Sequence, residues 1–208
     1  MIWFSADWHF GHGGILIHQP KRLNAFECVE EMDAQLIDNI NALVKPNDEL
    51  FFLGDYCWNA GRAGHYRSRL NVRQLHICQG NHDPTSLRRH VSSFREMHYR
   101  KFRERGTTYR IHMCHYPLLS WQGLHQGGIH LYGHSHGRYE TELEAMHPGR
   151  RAMDVGVDNI HRLTGEWRPI SLQEVIDRLV GGGLATYTFD ERLEGPFEKG
   201  PTTERREL

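Results

Sequence analysis

Metal-competent side chains stand directly after several short apolar runs of this sequence. In the segment HICQGNHDP (76–84), an apolar run ends at a glycine, and Asn81, His82 and Asp83 follow it at once. Comparable residues follow other apolar runs: Asp7 and His9 in SADWHFGH, Asp55 in FLGDY, His115 in CHYP, and His134 and His136 in YGHSHG. The set combines carboxylate, carboxamide and imidazole groups without thiolate, which suits first-row divalent ions such as manganese, iron or zinc. These residue types therefore indicate metal chemistry.

Buried strands would position these residues. Short apolar runs that are bounded by glycine, aspartate or histidine are typical of such strands. Six segments have this pattern: residues 1–7, 49–55, 73–81, 107–115, 128–134 and 152–158. In open α/β sheets, ligands gather in the loops beyond the strand ends. We therefore expect the metal-competent residues to meet where these strands end.

Helical patterns alternate with the predicted strands. Between Glu27 and Val44, apolar residues recur at steps of three and four along one face. Ser171 and Glu174 have the spacing of a capping box, which predicts a second helix that ends before the three glycines at 181–183. This alternation of strands and helices predicts an α/β fold.

The length of 208 residues favours a single domain. We predict that this domain covers residues 1–190 and closes with a strand in the segment LATYTFD at 184–190. The remaining residues, 191–208, are charged, contain glycine and proline, and hold few apolar groups. This composition predicts a flexible C-terminal tail.

Composition argues against several classes of function. Lysine plus arginine (25) nearly balances aspartate plus glutamate (26), so net charge gives no strong attraction to nucleic acid or membrane. Four scattered cysteines without a C-x-x-C pair favour buried thiols over a disulfide framework. No secretory pattern opens the sequence, and no apolar run approaches the roughly 18 residues of a membrane helix. We therefore expect a cytoplasmic protein. The 16 histidines point to metal binding or proton transfer.

Five motifs in order give the sequence a resemblance to a known family. They are D-x-H at 7–9, G-D at 54–55, G-N-H-D at 80–83, a histidine at 115 and G-H-x-H at 133–136. In this order they resemble the calcineurin-like metallophosphoesterase superfamily, in its small single-domain form known from bacteria and phages. The resemblance implies a four-layer αββα sandwich, in which two mixed β-sheets are flanked by helices and the site lies at their edge.

The resemblance also implies a dinuclear metal centre with a defined set of ligands. One ion would be held by Asp7, His9 and His136, the other by Asn81, His115 and His134, and Asp55 would bridge the two. Manganese is the expected metal, with iron, zinc, nickel or cobalt as alternatives. Two divalent ions carry four positive charges and the two carboxylates return two negative ones, so the site would keep a surplus that attracts phosphate.

The activity implied by the resemblance is hydrolysis of a phosphate ester, with phosphodiesters favoured. A hydroxide shared by the two ions would attack phosphorus in line with the leaving oxygen. His82 would face the phosphate and stabilise charge or protonate the leaving group, and Asp83 would orient His82. His12, three residues after His9, could contact the substrate phosphate, although a supporting or plain surface role is equally open.

Three other functions stay open at this stage. A phosphomonoesterase acting on nucleotides or small metabolites would use the same centre. A nuclease acting on single-stranded nucleic acid is suggested by the basic and aromatic residues between Arg88 and Arg105, although an ordinary solvated face is the simpler interpretation. A non-enzymatic interaction module is the least expected, because no ligand of the family pattern is missing.

Several residues near the motifs have more than one interpretation. Trp8 and Trp58 could form an aromatic wall for a planar leaving group, although packing is the more ordinary role for each. Asp154 and Asp158, in the last predicted strand before the second helix, could support a metal ligand from behind.

Overall fold

Residues 1–181 are described by the computed structural model, and in this part of the chain nine short strands form two sheets. The strands are β1 Ile2–Ser5, β2 Glu49–Phe52, β3 Gln74–Cys78, β4 Ser93–Arg95, β5 Met97–Glu104, β6 Thr107–Cys114, β7 Ile129–Tyr132, β8 Ala152–Asp154 and β9 Ile170–Ser171. The helices are α1 Gly14–His18, α2 Pro20–Ala25, α3 Val29–Leu43, α4 Ala63–Ser68, α5 Glu140–Met146, α6 Val157–Thr164 and α7 Leu172–Leu179. Short 3₁₀ helices cover Ala60–Arg62, Thr85–Arg89 and Leu124–Gln126.

Both sheets are mixed. The first has the strand order β4-β3-β2-β1-β9, with β9 antiparallel to β1 and the other neighbours parallel. The second has the order β5-β6-β7-β8, with β5 antiparallel to β6 and the other neighbours parallel. Parallel neighbours bring the carboxyl ends of β1, β2 and β3 to the same edge of the first sheet, which is where the predicted site residues follow.

The core lies in three apolar layers that separate the sheets and helices. On β1, Trp3 belongs to the apolar cluster that the first sheet forms with α1, α3 and α4, whereas Phe4 on the opposite face packs between the two sheets, against Phe102 of β5. On the outer face of the second sheet, Tyr132 of β7 packs with Leu143 of α5. Strand residues alternate between faces in this way because successive side chains of a strand point in opposite directions. The α/β fold with two mixed sheets flanked by helices is confirmed.

The predicted helices are present with slightly shorter bounds. Helix α3 covers Val29–Leu43, and its buried residues Met32, Leu36, Ile37 and Ile40 fall on the predicted apolar face. The capping box of α7 is confirmed, because the Ser171 side chain accepts from the Glu174 backbone N–H and the Glu174 side chain accepts from the Ser171 backbone N–H.

Two parts of the sequence interpretation need comment. The strand predicted at 184–190 and the tail predicted at 191–208 lie outside the described residues. The basic segment Arg88–Arg105, in which no strand was predicted, contains β4 and the whole of the eight-residue strand β5. Its charged residues had hidden the strand pattern, which is usual for an edge strand. None of the helices within residues 1–181 is long and apolar enough to pass through a membrane.

Candidate metal centre

The predicted ligands lie on backbone that L-amino acids rarely adopt. Only six non-glycine residues of the described part of the chain have positive φ angles, and five of them are predicted ligands. These are Asp7 at 60°, His9 at 53°, Asp55 at 59°, His134 at 67° and His136 at 50°. Such backbone persists only where the surrounding structure holds it, and it concentrates at functional sites. The left-handed turns aim the side chains away from the strand direction and toward one another.

The first group of candidate ligands comprises Asp7, His9 and His136. One ligand atom from each lies within 4.8 Å of the others. The His134 backbone N–H donates to both Asp7 oxygens, at 3.0 and 2.9 Å, and so holds the carboxylate in place. Both ring nitrogens of His9 are buried and find no hydrogen-bond partner within residues 1–181. An unsatisfied buried imidazole costs free energy unless something binds it, so this residue fits a metal ion.

The second group comprises Asp55, His115 and His134, and Asn81 joins it. The Nε2 atom of His115 lies 3.0 Å from Asn81 Oδ1, 3.2 Å from His134 Nδ1 and 3.5 Å from Asp55 Oδ2. The other ring nitrogen of His115, Nδ1, donates to the Leu53 carbonyl at 2.8 Å. This bond leaves the Nε2 lone pair directed toward oxygen and imidazole nitrogen atoms, which is the donor set expected around a divalent cation.

Asp55 lies between the two groups. Its Oδ2 atom is 3.6 Å from His9 Nε2 in the first group and 3.5 Å from His115 Nε2 in the second. Its other oxygen accepts from the His82 backbone N–H at 2.9 Å. This shared position is the one that the family resemblance implies for a bridging carboxylate.

A buried arginine and aspartate orient His136. Arg22 on α2 is fully buried and donates to both oxygens of Asp158, at 2.9 and 2.6 Å. Asp158 in turn accepts from His136 Nδ1 at 2.6 Å, which leaves Nε2 for a metal. Burial would raise the pKa of Asp158, but the Arg22 guanidinium and the His136 bond hold it well below its usual range. The supporting role considered for Asp158 is therefore seen in the contacts, whereas Arg22 was missed by sequence reasoning.

Asp154 holds the loop that carries His134 and His136. Its carboxylate accepts from Ser135 Oγ at 2.6 Å and from the backbone N–H groups of Gly137 at 2.8 Å and Gly156 at 2.6 Å. A β-carbon at Gly156 would collide with the carboxylates of Asp7 and Asp154. A glycine is therefore required where this chain segment passes behind the first group.

The role predicted for Asp83 needs correction. Its carboxylate accepts from three backbone N–H groups, those of Asp55 at 2.9 Å, Tyr56 at 2.7 Å and Gly80 at 2.9 Å. No hydrogen bond joins it to the His82 ring in the described residues. Burial raises the pKa of Asp83 to about 6, although the N–H donors oppose that shift. Asp83 positions the Asp55 loop against the G-N-H-D turn, because three buried N–H groups at that junction need an acceptor.

His82, His12 and Trp58 form the rim of the centre. The His82 side chain is 35 % exposed, and its ring centroid lies 5.4 Å from that of His9. The His12 ring stacks on Trp58 with centroids 4.0 Å apart. Trp58 is 49 % exposed, so the packing role expected for it is wrong, whereas Trp8 is fully buried and does pack in the core. His12 faces the same opening as His82, and burial together with the His82 charge lowers its pKa.

The electrostatics of the centre favour an added cation. Burial raises the pKa of Asp7 well above its usual value, and the nearby carboxylates Asp154 and Asp55 raise it further. Burial lowers the pKa of three candidate imidazole ligands, His9, His115 and His134. These shifts favour neutral imidazoles, so the imidazoles do not balance the negative charge of the nearby carboxylates. Divalent ions bound at the centre would supply the balancing positive charge.

The basic segment Arg88–Arg105 has a structural role in this fold. Phe102 is buried between the two sheets, Phe94 is partly buried against the helix-side core, and Tyr99 is 37 % exposed. Arg100 pairs with Glu49 at 3.6 Å. Because β5 is an edge strand, its exposed charges protect the sheet from pairing with another chain.

Comparison with known proteins supports the fold and names no activity. No protein-family model matches the chain. It is 28 % identical over 192 residues to the uncharacterized protein MJ1445 of Methanocaldococcus jannaschii, covering 91 % of this chain and 97 % of that protein. It is 24 % identical over 212 residues to the Gene 66 protein of Mycobacterium phage L5, covering 84 % and 92 %. The crystal structure of AQ665 from Aquifex aeolicus, a protein of unknown function, aligns with a TM-score of 0.65 and 22 % identity, covering 86 % of this chain and 99 % of that one.

Proposed function

We propose that this protein is a metal-dependent phosphoesterase of the calcineurin-like type, and that it favours phosphodiesters. The observation that carries the proposal is the convergence of seven side chains into two groups that share Asp55. These residues come from five separate loops, and their ligand types match the order of motifs in the sequence. Coincidental proximity would not explain why most of them also occupy left-handed backbone.

The donor set suits two divalent ions, with manganese expected and iron, zinc, nickel or cobalt as alternatives. When bound, such ions supply Lewis acidity that polarises a phosphate oxygen and activates water. Asp7 and Asp55 contribute only two negative charges, and Asn81 is neutral. The surplus positive charge would attract an anionic phosphate group to the opening between the two groups.

The chain's own residues would then bind and orient the substrate. The partly exposed His82 ring lies beside the centre, with its Nε2 atom 4.0 Å from Asp55 Oδ2, so it could donate a proton to the leaving oxygen or stabilise charge there. His12 lies on the same side, with its ring centroid 6.3 Å from that of His82, and could contact a phosphate oxygen. Asp83 keeps the turn that presents His82 in place through its backbone contacts.

A metal-replacement experiment tests the proposal. The protein is stripped with a chelator and reconstituted separately with manganese, zinc, nickel or iron, and the bound metal is counted. We expect two ions per chain and hydrolysis of bis(p-nitrophenyl) phosphate only in the loaded protein, at a higher rate than p-nitrophenyl phosphate. Loaded protein that hydrolyses neither ester would contradict the phosphoesterase proposal, and faster hydrolysis of the monoester would favour a phosphomonoesterase.

Replacement of His82 separates the catalytic role from metal binding. We expect His82→Ala to lower kcat about 100-fold, the lower end of the range for a general acid, while the chain retains both ions. The exposed histidine of α4, His65, provides the control, and His65→Gln should leave both quantities unchanged. Loss of an ion in His82→Ala would make this histidine a ligand and would overturn its assignment.

The other candidate functions have less support. A nuclease that stacks bases on the Arg88–Arg105 segment has less support, because Phe102 is buried and Phe94 is partly buried, which leaves Tyr99 as the exposed aromatic side chain of that segment. An interaction module without activity would not require the strained, converging ligands. All four cysteines are free thiols and three are buried, which is in keeping with the cytoplasm as the proposed setting.

A further inference from the structure

An exposed tryptophan lies at one side of the metal centre. Trp58 carries the His12 ring on one face, with centroids 4.0 Å apart and planes inclined by only 12°. Its ring is also 4.8 Å from the His82 ring, which contacts His9 of the first group. Although His12 covers one face of the ring and His82 lies beside it, 49 % of the residue remains exposed. A planar group could stack there.

An exposed tyrosine lies at the other side. The Tyr116 ring packs edge-on against His134 and His115 of the second group, with centroid distances of 4.7 and 4.9 Å, and it is 47 % exposed. It borders a cavity of about 390 Å³ that Asn81 and His115 also line, together with Met97. This volume is within the range of small-molecule sites, and the half-exposed Met97 supplies an adaptable apolar wall.

Isolated exposed aromatic residues are common on protein surfaces and need no explanation. Trp58 and Tyr116 differ from such residues because both lie against imidazoles of the centre. Tyr116 contacts His134 and His115 of the second group directly. Trp58 contacts His12 and His82, whose ring centroids lie 5.8 and 5.4 Å from that of His9 in the first group. Two larger cavities of about 700 Å³ each lie elsewhere in the fold, and no candidate ligand lines either of them. Within residues 1–181, Trp58 and the Tyr116 cavity therefore offer aromatic surfaces beside the centre for the organic part of a phosphate ester.

We infer that Trp58 and the Tyr116 cavity are two subsites for the two substituents of a phosphodiester, each of which is planar and aromatic, as in a dinucleoside phosphate. The inference rests on the proposed phosphoesterase function, because the phosphate must lie between the two groups of ligands. A phosphate held there would direct one ester oxygen toward each subsite. A monoester would leave one of the two surfaces without a substituent to bind.

Three synthetic esters test the inference in the manganese-loaded protein. They share the p-nitrophenolate leaving group: bis(p-nitrophenyl) phosphate has two aromatic arms, methyl p-nitrophenyl phosphate has one, and p-nitrophenyl phosphate is a monoester. We expect Trp58→Ala and Tyr116→Ala each to raise KM for the bis-aryl ester about 10-fold, since stacking of a base on an aromatic side chain contributes about 1–3 kcal/mol. Methyl p-nitrophenyl phosphate has a single aryl group, so only one of the two alanine variants should raise its KM, namely the variant at the subsite that holds this aryl group.

Matched variants and a measurement of competitive inhibition complete the test. Trp58→Phe and Tyr116→Phe should restore most of the affinity, and Tyr99→Ala, at an exposed aromatic residue of β5, should leave KM unchanged. Dithymidine monophosphate should inhibit competitively, with an inhibition constant that rises about 10-fold in each alanine variant. Equal KM values in the wild-type and alanine variants would overturn the subsites while leaving the phosphoesterase intact. A loaded wild-type protein that cleaves none of the three esters would overturn both.

Discussion

Within the described residues, three groups each place three metal-competent side chains with ligand atoms within 4.8 Å of one another. Two of the groups form the candidate metal centre and the third forms a separate cluster, and the two clusters are built differently. The candidate metal centre takes its residues from loops after the strands, and five of its seven candidate ligands have positive φ. The second cluster, His112, Cys114 and His130, lies on the regular strands β6 and β7, where His112 and His130 are register partners. We refer to it as the strand cluster.

The state of the imidazole nitrogens distinguishes the two. In the strand cluster, His130 donates from Nδ1 to the His112 carbonyl at 3.1 Å and accepts at Nε2 from the Leu118 N–H at 3.1 Å. Both of its nitrogens are therefore committed, and burial raises the pKa of the Cys114 thiol to about 11, which disfavours the thiolate that binds metal. In the metal centre, His115 is tied at one nitrogen by a backbone carbonyl and keeps the other directed at its neighbours. Proximity alone does not indicate a metal site, whereas a free and directed lone pair does.

The largest expected effect separates the clusters by metal content. Asp55→Asn should remove the carboxylate shared by both groups and lower activity on the order of 1,000-fold, equivalent to about 4 kcal/mol of lost transition-state stabilisation. We expect the bound metal to fall from two ions to one or none. The measurement is metal analysis of the purified chain together with the rate on bis(p-nitrophenyl) phosphate.

The matched substitution in the strand cluster is His112→Gln. His112 has one buried nitrogen without a partner in the described residues, so it is the member of this cluster most open to a metal. We nevertheless expect the variant to keep two ions and wild-type activity, because His130 is committed to backbone groups. A loss of one ion in His112→Gln would show that the strand cluster binds metal and would remove the distinction drawn above.

Local patterns in the sequence sufficed to predict the α/β class, whereas the two-sheet sandwich and the grouping of the candidate ligands were implied by the family resemblance. Strand runs, the α3 periodicity and the Ser171 capping box are readable over a few residues. What the sequence could not provide was the support behind the ligands. Arg22 and Asp158 are 136 residues apart in the chain, and no local pattern reports that they meet. The role of Asp83 was misassigned for a similar reason, because its partners lie on the Asp55 loop as well as on its own turn.

One local signal for the site went unused. Aspartate and histidine are among the residues that tolerate left-handed backbone, and here they follow directly after buried strands. Sharp turns at those positions could have been predicted from the motifs alone. The edge strand β5 was missed because period-two alternation is weak where Arg100, Lys101 and Arg103 serve solubility and edge protection.

The pH dependence of the unfolding free energy tests whether the strand cluster is a structural element. Burial lowers the pKa of His130 from 6.5 to about 4. The unfolded chain therefore binds a proton at this residue more readily than the folded one, so the fold loses stability as pH falls from 6.5 toward 4. The shift corresponds to a loss of up to about 3 kcal/mol from this residue. The measurement is urea unfolding of the metal-free protein at several pH values in that range.

His130→Phe provides the comparison for the pH experiment. The variant keeps an aromatic ring and removes the titrating group, so its unfolding free energy should fall less steeply with acid than that of the wild type. His65→Gln, at an exposed position, should retain the wild-type slope. Parallel slopes for all three proteins would show that His130 is not held neutral by the fold, and the contrast with the metal centre would then be weaker.

The smallest expected effect has the opposite sign for two aspartates of the same site. Asp7 is buried on left-handed backbone beside Asp154 and Asp55, and its raised pKa means that its charged form destabilises the metal-free fold. Asp7→Asn should therefore abolish metal-dependent activity yet stabilise the metal-free protein by about 1 kcal/mol, because asparagine tolerates this backbone and carries no charge. Asp83→Asn should instead destabilise it by about 1–3 kcal/mol, since an amide nitrogen cannot accept from the N–H groups that Asp83 serves. The measurement is the unfolding free energy of each variant without metal. If both substitutions destabilise the protein, Asp7 also supports the fold. If the two effects have opposite signs, the centre holds the Asp7 carboxylate at the expense of stability.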